Sequence, residues 1–516
     1  MLATIDYVII VVYLLGVVAF GAWIGRRQST QTDYFLGGRD LPWWAVCFSV
    51  IATETSTLTV IGTPAIAYGG ALTFLQLTAG FLIGRIVVSW LMLPRYFAGE
   101  QETAYAYLES RFGGSMRVTA SITFLITRLL ADGVRLFATA IPIRVIALAA
   151  GYDVSYFAIV AGVAVLTAAY TMIGGLKAVV WVDVVQMGIY VGGGLIAIIV
   201  MWAAAGPDTW SSLADAGKLT VVDLGGSWTA ILTSPYALPT ALLGGAVFSM
   251  ASHGADQLVV QRLLACRSLG DGRKALIGSG IGVILQFALF LGVGLLLWVH
   301  YGGATPAELG LSRGDEIFPR FIIEGLPAGI SGLLLAGILA AAMSTLSSSL
   351  NALAGSTWFD LYRRIKRKEP PTAEHALRTS RWLTVMWAAV FVTFASLFQN
   401  LQNPVVELGL SIASFTYGGL LGAFLLGLAV PRARQIHALV AFGITIVGTI
   451  VLISAVWLDP ATGEWLFAWR PDGATRSELG IVPIAWPLYT VIGSGGMVAV
   501  GAFLSLLFPS RSSSSV

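Results

Sequence analysis

Apolar, mostly uncharged runs follow one another from one end of this chain to the other, separated by short polar connections. About 20 apolar residues suffice to carry a helix across a bilayer, and thirteen stretches of that kind can be marked out. They lie at about 7–25, 43–69, 73–94, 118–148, 155–172, 182–204, 238–262, 275–299, 327–354, 382–399, 404–430, 437–457 and 482–508. Longer polar connections occur at 205–237, 300–326 and 458–481, and 303–325 has room for a short surface helix. Ser510 to Val516 reads as a tail. No short-period repeat and no separate soluble domain is visible, so the expectation is one transmembrane domain over 1–516, all-α in class.

Composition strengthens that picture. Hydrophobic residues make up 57% of 516 and charged residues 11%, with a mean hydropathy of +0.82. Soluble domains carry about 25% charged residues, so this chain has too few charges to keep a water-facing surface wet. The net charge of +3 is small and its basic residues are dispersed, which speaks against nucleic acid as a partner. Cys47 and Cys266 give no disulfide framework, and free thiols are expected.

The basic residues also orient the chain, because cytoplasmic loops are enriched in Lys and Arg. The chain starts Met1 to Asp6 with no basic region, and Arg26 and Arg27 follow the first apolar stretch. This reads as a retained helix with its N-terminus outside, not a cleaved signal peptide. An odd number of spans then places most of the 30 basic residues inside. Among them are the groups Arg262/Arg267/Arg273/Lys274 and Arg363/Arg364/Lys366/Arg367/Lys368. The expected location is a cell inner membrane, multi-pass, with the C-terminus cytoplasmic.

Candidate chemistry lies where polar groups enter these spans, since charge at bilayer depth is costly and marks a pathway, a pair or a site. The charged residues within spans are Glu54, Arg85, Arg128, Asp132, Arg135, Arg144, Asp183, Asp256 and Glu407. Arg85 and Arg144 lie near span ends and read as snorkelling side chains. The second span, Ile51-Ala-Thr-Glu-Thr-Ser-Thr-Leu-Thr-Val-Ile-Gly62-Thr-Pro64, combines hydroxyls, a carboxylate and a proline that frees a carbonyl. The seventh, Ser249-Met-Ala-Ser-His253-Gly-Ala-Asp256-Gln257, shows a similar break. Two interrupted helices, each opening a set of five, are what an inverted repeat of a secondary transporter produces. In the ninth span Ala341, Ser344, Thr345 and Ser348 recur at i, i+3, i+4 and i+7 and share a helical face. Oxygen ligands of this kind suit a hard cation such as sodium, and the alternative is a Ser/Thr-rich helix contact. Together with Ala52, Thr55 and Asp183 they fall in the inner half of the membrane, where one or two sodium sites could draw on them.

Those residues resemble the sodium:solute symporter family. The segment Gly174-Gly-Leu-Lys-Ala-Val-Val-Trp-Val-Asp183-Val-Val-Gln186 is similar to its signature. So are Asp256-Gln-Leu-Val-Val-Gln-Arg262-Leu-Leu-Ala, the Met343-Ser-Thr stretch running to Asn351, and Gly418-Gly-Leu-Leu-Gly-Ala-Phe-Leu-Leu-Gly. The resemblance implies a LeuT-type core of two inverted five-helix repeats in spans two to eleven, with rocking alternating access. The first repeat takes 43–204 and the second 238–457, with extra helices at 7–25 and 482–508. It further implies a sodium site from the carbonyls of Ala52, Thr55 and Ala341 and the hydroxyls of Ser344 and Thr345. Members coupling two sodium ions resemble this chain at Asp183, Ser347 and Ser348.

The same resemblance places Glu54 where a sugar-carrying member has a sugar-binding Asn, and Gln76 at a polar substrate contact. Arg128, Asp132 and Arg135 are spaced i, i+4, i+7 on one helical face. They form either an internal Arg–Asp–Arg network, its surplus charge neutralised by Glu54, or a site where Arg135 forks onto a substrate carboxylate. His253 either lines the same cavity or bonds a neighbouring helix. The expected function is sodium-coupled uptake of a small polar solute, leaning to an amino acid, monocarboxylate or acidic sugar. A neutral sugar or polyol is the alternative, and proton coupling through Glu54 or Asp183, or an ion channel, is more remote. No HExxH, GxSxG, Walker loop or cysteine pair points to an enzyme. Sodium, solute and lipid are the partners implied, with no obligate protein partner evident.

Overall fold

The computed structural model describes residues 2–99, 101–149, 151–365, 372–398 and 405–508. Lys366, Arg367 and Lys368, the serine-rich tail and the side chain of Glu407 lie outside the described residues. The long helices are α1 (Thr4–Ile24), α2 (Trp43–Glu54), α3 (Thr57–Gly69), α4 (Phe74–Leu91), α5 (Gly114–Ala149), α6 (Tyr156–Ala204) and α7 (Leu238–Met250). They continue with α8 (Gln257–Leu263), α9 (Leu269–His300), α10 (Ile330–Ser356), α11 (Ala373–Ala395), α12 (Val405–Ala429), α13 (Gln435–Ala455) and α14 (Trp486–Leu507).

Helix makes up most of each apolar stretch marked out from the sequence, among the described residues. Among the described residues, eight helices are long and apolar enough to cross a membrane, and nine when the bent pair α2–α3 is taken as one span. α5 carries Arg117, Arg128, Asp132, Arg135 and Arg144 and is the most charged of the long helices. The fifth and sixth stretches are two helical limbs, labelled together as α6, that meet at a kink at Gly175 (φ 50°, ψ −156°). No loop is needed there, because glycine alone adopts that conformation at little cost. A Cβ on Gly175 would also lie 2.4 Å from the Tyr34 carbonyl.

Both breaks read from the sequence are present. α2 and α3 meet at a 66° bend, and α7 runs through a π-helical turn at Ala251–Ala255 into an extended Asp256 before α8 begins. The first break sits among the hydroxyls and not at the proline. Thr55 is its extended residue, whereas Pro64 lies within α3. The cause is side-chain competition for the backbone. Thr53 Oγ1 donates to the Ser49 carbonyl at 2.7 Å and Thr55 Oγ1 to that of Ile51 at 2.8 Å. The Ser56 N–H then turns away to Thr59 Oγ1 at 3.3 Å.

α10 is the buried axis of the molecule, with nearly every residue sealed from solvent. Its Ala, Gly and Ser side chains let other helices approach closely, and α6 packs along it most extensively. Asp6 of α1 fixes its upper end, accepting the N–H groups of Gly329 and Gly332 at 2.7 Å each. An anionic cap at a helix N-terminus is favourable because the dipole is positive there.

The surface helix expected within 303–325 is Ile317–Glu324. One small departure from an all-helical chain is a three-stranded antiparallel sheet in the last long connection. It joins β1 (Val456–Leu458), β2 (Trp465–Phe467) and β3 (Val482–Pro483) in the order β2-β1-β3. Cys47 and Cys266 are buried free thiols.

Candidate functional site

The α2–α3 break faces α10. With the Ser56 N–H turned away to Thr59, the Ala52 carbonyl has lost its helical donor. Thr55, extended at φ −80° and ψ 101°, aims its own carbonyl out of the helix. Thr345 Oγ1 lies 3.4 Å from that Thr55 oxygen and 3.1 Å from the Ala341 oxygen. Ser344, one residue earlier, donates to Asp183 Oδ1 at 2.6 Å and keeps its hydroxyl lone pairs. Ala52, Thr55, Ala341, Ser344 and Thr345 are all buried. The arrangement offers neutral carbonyl and hydroxyl oxygens, the donor set of a hard monovalent or divalent cation. Gln286 of α9 steadies it by donating to the Thr55 hydroxyl at 2.7 Å.

Beside it is a second cluster, built around a charge. Asp183 of α6 accepts from Ser49 at 2.5 Å and from Ser344 at 2.6 Å. Arg262 of α8 lies against the same carboxylate at 3.5 Å, donates to Ser49 Oγ at 2.9 Å and also donates to Ser348. Ser348 bonds Thr53 at 3.1 Å, and Ser347 donates to the Ser344 carbonyl at 3.0 Å. Contrary to the expectation from sequence, Arg262 is not a cytoplasmic loop cation. It is fully buried, and its guanidinium is the counter-charge of Asp183.

A third cluster holds Glu54. Arg85 donates to both carboxylate oxygens, at 2.7 and 2.6 Å, and to Ser279 at 2.9 Å. His253 Nε2 meets Glu54 at 2.8 Å, while its Nδ1 faces Ser252 at 2.8 Å and the Ser249 carbonyl at 3.1 Å. The snorkelling reading of Arg85 is therefore overturned, since its side chain is 0% exposed and paired. The turn of α4 that carries it packs against α9, which supplies Ser279 and leaves no route to an interface. Arg144 keeps closer to expectation, half-buried, bonded to exposed Asp153 at 3.2 Å and lying over the Tyr156 ring.

The α5 network is real but differently balanced. Arg128 binds Asp256 at the α7–α8 break, through Nε at 3.0 Å and also through Nη2. Tyr417 joins both, accepting from Arg128 at 2.6 Å and donating to Asp256 at 2.8 Å. Asp132 takes Ser349 at 2.5 Å, Arg135 at 3.2 Å and Arg128 at 3.4 Å. The surplus charge is thus neutralised by Asp256, not by Glu54, which is engaged elsewhere. Gln76 is not drawn to Glu54, His253 or Arg135. Its amide donates to the Tyr236 carbonyl at 2.8 Å and accepts from the Asp223 N–H at 3.3 Å, tying down the outer connection.

Residues 34–448 match the family model described as the sodium:solute symporter family. The chain belongs to this family. Among its relatives, the sodium/sialic acid symporter NanT of Aliivibrio fischeri is 30% identical over 467 residues, covering 89% of this chain and 88% of that one. The sodium-coupled monocarboxylate transporter 1 of Mus musculus is 31% identical, over 84% of this chain and 70% of its own. The sodium/iodide cotransporter of Homo sapiens is 28% identical, over 85% and 68%. A solved Na+-coupled sialic acid symporter, substrate-bound and outward-open, superposes with a TM-score of 0.81 at 25% identity, each chain covered to 98%. The nucleobase–cation symporter Mhp1 shares the fold at a TM-score of 0.55 and 11% identity, over 94% of this chain and 96% of its own.

This sodium:solute symporter is therefore a multi-pass membrane transporter with a LeuT-type core that couples sodium to a small solute, and its relatives are transporters, not enzymes. The sequence does not single out Ser49, Ser349, Gln286 or Tyr417: Ser49 and Gln286 are lone polar residues in apolar stretches, and Ser349 and Tyr417 sit in runs of hydroxyl side chains that hide them. Arg262 could have been found, because it closes the motif that begins at Asp256 and so lies one short helix from the break.

Proposed function

We propose that this symporter carries a small carboxylate-bearing solute into the cell with sodium held by Ala52, Thr55, Ala341, Ser344 and Thr345. Arg135 carries the reading of the solute. Its side chain is 21% exposed, the most open of the α5 arginines in the network. Among the described residues its guanidinium makes one hydrogen bond, to an Asp132 already served by Arg128 and Ser349. The remaining N–H groups are free to fork onto a carboxylate. The five sodium ligands are neutral, so a bound sodium adds a full positive charge, which an anionic solute offsets at close range in a low dielectric. The sialic acid and monocarboxylate relatives take acids by their names.

His253 and Glu54 would complete one wall of the solute cavity, Glu54 being 24% exposed. Gln76 would enter only when its bonds to Tyr236 and Asp223 open. A second sodium at Asp183, Ser347 and Ser348 requires Arg262 to withdraw, since that cation now serves the carboxylate. The charge balance within each buried cluster favours a second reading, a neutral sugar or polyol. The reading of orientation is unchanged, with the N-terminus outside, the C-terminus cytoplasmic and the protein in a cell inner membrane.

The test is uptake into proteoliposomes under a sodium gradient without a pH gradient, across amino acids, monocarboxylates, acidic sugars, neutral sugars and polyols. Sodium-driven uptake of an acid that Arg135→Ala weakens through a raised KM and Arg135→Lys partly restores is the expected result. Uptake of a neutral sugar indifferent to Arg135→Ala would establish the second reading. Uptake driven equally by a proton gradient would replace sodium coupling.

A further inference from the structure

One opening on the molecule lies outside the clusters described above. It is a groove of about 610 Å³ between the end of α1 and the second limb of α6, lined by Phe20, Trp23, Ile24, Arg26, Lys177 and Trp181. Gly25, the residue after α1, passes α6 so closely that a Cβ on it would lie 2.3 Å from Gly174 Cα. Lys177 and Trp181 are one turn apart on α6, while Trp23 lies in the last turn of α1 and Arg26 in the 3-10 turn Gly25–Arg27 that follows it, so each side of the groove offers an aromatic ring and a cation to the same space.

Both cations are exposed, and the ion pairs among the described residues include neither of them. Among the described residues Arg26 donates to the Trp23 carbonyl, at 3.3 Å, and rests 5.8 Å from the Trp23 ring. Trp181 is held edge-on by Trp44 with ring centroids 5.3 Å apart, and Trp23 stacks with Phe20 at 6.2 Å. Away from the groove the outer face of α1 is bare hydrocarbon, with Leu15 and Val12 each 63% exposed.

We propose that this groove binds one anionic phospholipid. The phosphodiester sits between the Arg26 guanidinium and the Lys177 ammonium, tryptophans flank the glycerol level, and an acyl chain lies along α1. Charge decides the occupant. Two unpaired cations beside interfacial tryptophans match a negative headgroup in a membrane surface layer. A zwitterionic headgroup would bring its own cation against them. Only the leaflet, the cytoplasmic one, rests on the orientation proposed above. Such a lipid would brace α1 against α6 six residues before Asp183, which makes sodium coupling sensitive to anionic lipid.

The test is native mass spectrometry and thermal stability of the purified full chain in neutral detergent, titrated with phosphatidylglycerol and, separately, with phosphatidylcholine. The wild type should retain and be stabilised by phosphatidylglycerol. Arg26→Gln with Lys177→Gln should weaken that binding roughly 30-fold and leave phosphatidylcholine unchanged. Arg26→Lys with Lys177→Arg, which keeps both charges and guards against a simple folding defect, should bind as the wild type does. Equal phosphatidylglycerol binding by the wild type and the neutral double variant would overturn the proposal. A change of oligomeric state in that variant with lipid binding intact would also overturn it and assign the groove to a second copy of the chain. These readouts involve no transport, so the lipid site and the solute assignment fail separately.

Discussion

Two oxygen clusters lie side by side against α10, and they solve the problem of a buried cation in opposite ways. Around Thr345 every ligand is neutral, and the backbone is held open by hydroxyls that bond back onto α2. Around Asp183 the ligands include a full negative charge, and the protein has already placed the Arg262 guanidinium on it. An unpaired buried carboxylate is strongly penalised, so the second cluster is stable without an ion whereas the first gains charge only by taking one. On the sodium assignment we propose, the first receives the ion directly. The second is built to exchange one cation for another.

The largest effect expected is at the neutral cluster. Thr345→Ala removes the hydroxyl that spans the Thr55 and Ala341 carbonyls, and sodium-driven uptake should fall to background in proteoliposomes. Unchanged sodium dependence would erase the distinction between the clusters. Next comes Arg262→Gln, which strands Asp183. Sodium-free protein should lose about 3 kcal/mol of stability, and saturating sodium should restore more of it than sodium adds to the wild type. A loss that sodium leaves untouched would make Arg262 a fixed structural ion pair.

Arg135→Ala acts on the solute and not on either cluster. It should raise the KM for an acid substrate about 10- to 100-fold, the worth of a charge-assisted hydrogen bond, with sodium activation unaltered. Asp183→Asn keeps the shape of the second cluster and removes its charge, so the Hill slope for sodium should fall toward one while uptake persists. A slope identical to wild type would leave a single sodium site. The smallest effect belongs to Ser347→Ala, whose hydroxyl is bonded to its own helix at Ser344, and a modest rise in the sodium concentration for half-maximal uptake is expected.

Much of this was legible along the chain, for identifiable reasons. The break in the second span announces itself by Thr53, Thr55 and Ser56, since hydroxyls near a carboxylate compete with a helix wherever they occur. Pro64 adds no break of its own, because a proline inside a membrane helix is tolerated when neighbours satisfy the freed carbonyl. The face of α10 carrying Ala341, Ser344, Thr345 and Ser348 follows from helical spacing alone. The partner of each charge does not. Glu54 with Arg85, separated by 31 positions, and Arg128 with Asp256, separated by 128, carry no local signal that prefers those matches over others.

The sequence by itself determined the helices, their insertion in a membrane, the two breaks and the oxygen-rich face of α10. These follow from residue-by-residue transfer energies and from competition between a side chain and its own backbone, both of which act over a few positions. Only the tertiary structure decided which cation neutralises which anion, that Arg262 is buried on Asp183 and not in a cytoplasmic loop, and that Gln76 secures an outer connection. Charge pairing is a matter of distance in a low dielectric, and distance between remote residues exists only once the helices have packed.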